Sequence, residues 1–153
     1  MGCCLSKTNV DLDAINFDKV ESFGFKNMTF DAKVLNVYDG DTITIGFLWN
    51  NIAVKMRMRF YGIDTPEIKH ASTLHSNCGK YVRDYLENII NHKNVIIKTH
   101  KTETDKFGRL LGDVIFDGVS ISQLLLSKGY AKETAKGGHK FGFTDAELHN
   151  LVL

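Results

Sequence analysis

The stretch from Ile52 to Tyr61 constrains the fold most tightly, because Val54, Met56, Met58 and Phe60 alternate with Lys55, Arg57, Arg59 and Tyr61. Successive side chains of a strand point to opposite faces, so this period of two dictates a strand with one apolar and one cationic face. A one-residue slip would turn every cation inward, so the register against a core is strongly specified. Runs of similar character surround it. Phe30 to Val37 and Thr42 to Leu48 flank an Asp39-Gly40 turn, and Trp49-Asn50-Asn51 supplies the next turn. Val95 to Thr99 and Leu110 to Phe116 read as two more strands, followed by turn chemistry at Asp117-Gly118.

Between the third and fourth strands the period changes. A polar loop runs from Pro66 through Asn77, after which Tyr81, Val82, Tyr85, Leu86, Ile89 and Ile90 recur on one helical face, opposite Lys80, Arg83, Asp84, Glu87 and Asn88. Ser120 and Gln123 form a capping pair before a helix from Ile121 to Lys128, which Gly129 stops. Thr144 to Leu151 reads as a short third helix. Three strands, a helix, two strands and one or two helices predict an α+β, mainly β chain: a five-stranded, OB-fold-like barrel with two to three helices. The 153 residues suit one such domain over residues 29–153, preceded by an arm over residues 1–28.

Net charge is only +1, so attraction to a polyanion has to come from a local basic site and not from the whole surface. Three cysteines, two of them adjacent, give no disulfide framework and no zinc spacing. Neither a His-Glu-x-x-His arrangement nor a glycine-rich phosphate loop ending in Lys-Ser or Lys-Thr occurs. The opening Met1-Gly2-Cys3-Cys4-Leu5-Ser6 fits N-myristoylation of Gly2 with palmitoylation of Cys3 and Cys4. Two acyl chains would hold the protein at the cytoplasmic face of a membrane, whereas the mixed charges of the arm make no polybasic patch. Without acylation a cytoplasmic location is expected.

Chemistry concentrates where strands meet turns: Asp39-Gly40-Asp41-Thr42, then Arg59 with Asp64-Thr65-Pro66-Glu67, then Thr104-Asp105-Lys106-Phe107-Gly108-Arg109. Carboxylates from two loops offer hard oxygen donors, which suit calcium, magnesium or manganese; a mixed and flexible donor set suits calcium best. Arg59 and Arg109 carry guanidinium forks that match two phosphate oxygens and stay charged. Cations placed where charge gathers on phosphorus oxygens lower the barrier to water attack. Glu67 is placed to accept the water's proton or to hold the water in line. Any one cluster alone is more simply a set of turn residues and surface ion pairs.

Together, and in this order, the three clusters resemble the staphylococcal nuclease (thermonuclease) family from about Thr29 to Lys132. The resemblance implies a calcium-dependent endonuclease and exonuclease that acts on DNA and RNA and leaves 3′-phosphate ends; a monomer is expected. Carried onto this chain, it implies Ca2+ held by the side chains of Asp41 and Asp64 and the carbonyl of Thr65. Glu67 would act through water and Asp39 would lie near the ion without ligating it. Arg59 and Arg109 would hold the scissile phosphate, with Lys106 and Phe107 against the substrate. Phe107 replaces a tyrosine of the best-known members, and Lys132-Glu133-Thr134-Ala135-Lys136 stands where tyrosines face the base, leaving Phe141 or Phe143 as substitutes. The alternative is a catalytically silent nucleic-acid-binding module on the same barrel.

Overall fold

The computed structural model describes residues 11–20, 23–134, 140 and 142–151. Five strands close into a barrel: β1 (Thr29–Asp39), β2 (Thr42–Trp49), β3 (Ile52–Phe60), β5 (Asn94–Thr104) and β6 (Leu110–Phe116). Antiparallel pairing runs β3-β2-β1-β5-β6. Parallel pairing of β3 with β6, through Met58↔Leu110, Arg59↔Leu111 and Phe60↔Gly112, closes the cylinder. Closure removes the exposed edges that an open sheet would leave. A two-residue strand β7 (Val119–Ser120) extends β6, and β4 (Ile63–Asp64) pairs with β8 (Lys132–Glu133) outside the barrel.

The alternation in β3 behaves as the sequence requires. Met58 and Phe60 are buried with Ile43, Ile45, Val34, Ile97, Leu110 and Val114, while the cationic row faces outward. Helix α1 (Thr73–Ile90) plugs the core with Val82, Leu86 and Ile90, none of them accessible to solvent. Each contributes roughly 1.5–3 kcal/mol through burial. Helix α2 (Ile121–Ser127) begins at the expected Ser120 cap, whose hydroxyl accepts from the Gln123 amide at 3.2 Å. The third helix, α3 (Asp145–Leu151), is opened by a reciprocal cap: Thr144 Oγ1 accepts from the Glu147 amide and Glu147 Oε2 from the Thr144 amide.

Several local expectations need correction. The first helix starts at Thr73, well inside the stretch read as a polar loop, because Ser72 caps His75 and because Leu74 and Cys78 pack against Leu148 and Leu151 of α3. Cys78 is therefore a core residue of this helix, whose thiol donates to the Leu148 carbonyl at 3.3 Å. Tyr81, placed on the apolar face by its spacing, is exposed. Strand β5 runs on to Thr104, five residues past its predicted end. Trp49 is not a free turn aromatic, since its ring meets Phe23 and Phe25 edge-on at 5.6 and 5.2 Å. Phe25 itself is buried in the core. Before β1 the chain makes two short 3-10 turns, Leu12–Ala14 and Phe17–Lys19.

Helix α1 also positions the loops that matter later. A Cβ on Gly40 would come within 2.7 Å of Thr65 Oγ1 and 2.8 Å of Val82, and one on Gly79 would lie 2.7 Å from the Glu67 carbonyl carbon. The helix thus rests directly on the backbone of the Glu67 loop. Helix propensity alone would make Gly79→Ala stabilising by about 1 kcal/mol. The backbone contact reverses the sign, and we expect a loss of about 1–3 kcal/mol in urea unfolding. A rise in stability would show that the helix does not seat on this loop.

Candidate active site

Six of the residues singled out in the sequence meet at one end of the barrel in a single hydrogen-bonded chain. Thr42 opens β2 opposite Arg59 on β3. Arg59 reaches outward from β3 and donates to both Asp41, with a closest approach of 2.7 Å, and Asp64 at 3.1 Å. Both carboxylates are almost fully buried, 3% and 5% exposed, with Thr65 beside them at 4%. Thr42 Oγ1 donates to Asp41 at 2.9 Å and accepts from Arg109 at 3.2 Å, so one hydroxyl joins the two arginines through a carboxylate. Asp39 accepts from the Asp41 amide at 3.3 Å and shapes the turn without touching Arg59.

Arg109 is aimed by its own turn. Asp105 accepts from the amides of Phe107 and Arg109 at 2.9 and 3.0 Å, and its other oxygen accepts from Arg109 Nε at 2.7 Å. Burial pushes the Asp105 carboxyl up, but these Arg109 and Phe107 donors outweigh it and hold it below the usual range. Lys106 and Phe107 sit at the tip of this turn. Phe107 is 71% exposed, with the Lys106 ammonium 5.1 Å and the Arg109 guanidinium 5.5 Å from its ring centre.

On the other side of Asp64 lies a residue that the sequence reading passed over. The Lys140 ammonium is 2.8 Å from Asp64 Oδ1 and also pairs with Glu67. Its neighbourhood is held down by Lys132, which pairs with Glu147 at 2.7 Å and donates to the Gly142 carbonyl at 2.8 Å. Lys132 in turn is fixed opposite Asp64 by the β4–β8 ladder. No local motif marks Lys140; its pairing with Asp64 and Glu67 is long-range. Glu67 stays half exposed, and although burial pushes its carboxyl up, Lys140 brings it below the usual range, so it is ionised at neutral pH.

Burial dominates at Asp41. Desolvation, opposed by Arg59 and reinforced by Asp39, pushes its carboxyl up to about 7. A carboxylate in that condition gains from any added cation. Among the described residues no three His, Cys, Asp or Glu side chains converge closely enough to hold a metal ion by themselves. The donor set nonetheless fits a hard cation: two buried carboxylates sharing one guanidinium, a buried Thr65, no sulfur or imidazole in the network, and the Lys140 ammonium standing in as positive charge beside Asp64.

Residues 57–151 match the family described as staphylococcal nuclease homologue. The chain belongs to the staphylococcal nuclease family. The matched range holds Arg59, Asp64, Thr65, Glu67 and Arg109, and the geometry adds Asp41 and Thr42 from the strand pair before it. The thermonuclease of Staphylococcus hyicus is 29% identical over 100 residues, covering 65% of this chain and 57% of that protein. Endonuclease YncB of Bacillus subtilis (strain 168) is 31% identical over 107 residues, 69% of this chain and 47% of that protein. An uncharacterized protein of Bacillus anthracis is 31% identical over 103 residues, 67% of this chain and 46% of its own length. The chain spans about half the length of these relatives.

Of the two aromatics named as substitutes against the base, the described residues include Phe143. Phe143 packs with Cys78, Leu148 and Leu151 and lies under the Lys132 ammonium, so it is engaged in the α1–α3 seam. Phe141 lies outside the described residues, as do Gly2, Cys3 and Cys4.

Because Asp105 holds Arg109 through three donors, Asp105→Asn should destabilise the protein by about 1–2 kcal/mol at pH 7 in urea unfolding. The carboxyl is depressed in the folded state, so its contribution is full above the ordinary carboxylate range and disappears as pH falls through the lowered value. The native-to-variant gap should therefore close toward pH 3. A gap that is constant with pH would mean that the carboxylate charge is not what holds the turn.

Proposed function

We propose that this chain is a calcium-dependent nuclease that hydrolyses phosphodiester bonds of DNA and RNA and leaves 3′-phosphate ends. The observation that carries the reading is the unbroken chain Asp105–Arg109–Thr42–Asp41–Arg59–Asp64. It presents two guanidinium groups and two buried carboxylates at one end of a rigid barrel. Relatives named thermonuclease and endonuclease support the same reaction class.

In this reading Asp41, Asp64 and the Thr65 carbonyl hold the calcium ion. Bound there, it supplies Lewis-acid stabilisation of charge on the phosphate oxygens. Arg109, with a fixed Nε and an exposed aromatic beside it, grips the phosphate, and its charge cannot be lost by deprotonation. Arg59 keeps the two carboxylates together and adds positive charge on the same side. Glu67, ionised and half exposed, accepts the proton of the attacking water.

Purified protein should cut plasmid and single-stranded DNA with calcium and stop when a chelator is added, the products carrying 3′-phosphate by mass spectrometry. Arg109→Ala and Asp41→Ala should each lower kcat/KM about a hundredfold or more while circular dichroism stays native. Native rates in both variants would overturn the assignment of this site. We also propose that Gly2 is myristoylated and that Cys3 or Cys4 is palmitoylated, which places the enzyme at a cytoplasmic membrane face. Intact mass from a eukaryotic host should show acyl additions in the native protein and lose the myristoyl group in Gly2→Ala. Unmodified mass in both would remove the membrane location.

A further inference from the structure

The outward row of β3 does not end at Arg59. Arg57 and Lys55 continue it, both exposed, and among the described residues neither takes part in an ion pair. The Arg57 guanidinium lies instead 4.8 Å from the centre of the Tyr38 ring. Tyr38 is 49% exposed and immediately precedes Asp39, the residue that shapes the carboxylate turn. Across the ladder Arg57 faces Thr44, which faces Asn36, so the floor around the pair is polar and low. A surface cation–π pair usually does no more than lend a sheet modest stability. Three features of this one exceed that role. It lies beside the site, its cation has no carboxylate partner among the described residues, and it shares a strand face with Arg59.

Alternate residues of a strand stand about 6.5–7 Å apart, close to the separation of neighbouring phosphates in an extended single strand. With a net charge of +1 the protein cannot hold a polyanion by its general field, so an extended substrate needs a local track of this kind. A cation and an aromatic presented together are what sequence-tolerant binding of single strands uses.

We propose that the outer face of β3 is a single-strand track continuing from the scissile phosphate, in which Arg57, one strand repeat beyond Arg59, binds a neighbouring phosphate of the substrate and Tyr38 stacks with the adjoining base. The proposal rests on the phosphodiesterase reading for its register but makes its own binding prediction. Fluorescence anisotropy with labelled oligo-dT of eight and of two nucleotides, in chelator so that nothing turns over, measures it directly. Arg57→Ala should weaken eight-nucleotide binding roughly tenfold and lower the slope of log Kd against log salt by about 0.7. Tyr38→Ala should weaken it by a similar factor with no change in slope, and Tyr38→Phe should bind as the native protein does. For both alanine variants the loss on the two-nucleotide probe should be smaller.

Should Arg57→Ala fail to fold, Arg57→Gln keeps the length of this exposed side chain and must show the same loss of slope. Unchanged affinity and slope in the arginine variants would overturn the track. So would a Tyr38→Phe loss as large as that of Tyr38→Ala. The two readings separate cleanly. A native protein that cuts nothing with calcium yet shows this pattern keeps the track and loses the catalytic reading. One that cuts normally while the variants bind and cut as it does keeps the catalytic reading and loses the track.

Discussion

The Arg59 guanidinium, shared between Asp41 and Asp64, is the interaction on which the rest of the site depends. Two carboxylates taken out of water cost several kcal/mol each unless a cation accompanies them. Arg59 can provide that cation only because β3 is held with its apolar alternate residues in the core and its cationic ones outside. The closing β3–β6 pairs bring β6 alongside, with Arg109 just ahead of its first residue. The same register that buries Met58 and Phe60 therefore decides where the charged chemistry sits.

Compensation at this site is incomplete, and that is informative. Asp41 remains pushed up to about 7 despite Arg59, because burial and Asp39 outweigh the attraction. Lys140 adds a second positive charge at the far side of Asp64. A fold selected for stability alone would not gather these acids, since well-packed apolar residues of similar volume are usually at least as stable as buried ion pairs. Buried carboxylates grouped with other hard oxygen donors are the kind of set that suits a divalent cation. The conflict between local stability and local charge is itself a sign of function.

Most elements that carry the site were readable locally, and those that refine it were not. Ser120 and Gln123 announced α2, and the three loop clusters announced Asp41, Asp64, Glu67 and Arg109 as candidates. Asp105 carried a signal as well, an acid four residues before an arginine with a glycine between them, yet its function as the holder of Arg109 became visible only in the turn. The early start of α1 was hidden because His75, Ser76 and Asn77 look like loop residues. Packing of Leu74 and Cys78 on α3 supplies the helical stability that composition lacks there. Lys140 was hidden for the same reason: the β4–β8 ladder and the Lys132–Glu147 pair that bring its segment to Asp64 join residues far apart in sequence.

By itself, the sequence determined the strand alternation, the two faces of β3, the capped helices and the chemical kinds of group available, because each of these depends on neighbours within a few residues. Only the tertiary structure decided which charges pair, how deeply Asp41 is buried, that Lys140 joins Asp64 and Glu67, and that Tyr38 meets Arg57 beside the site. Those outcomes depend on barrel closure and on helix seating. Both join residues tens of positions apart, and both act through distances of a few ångströms that no local pattern encodes.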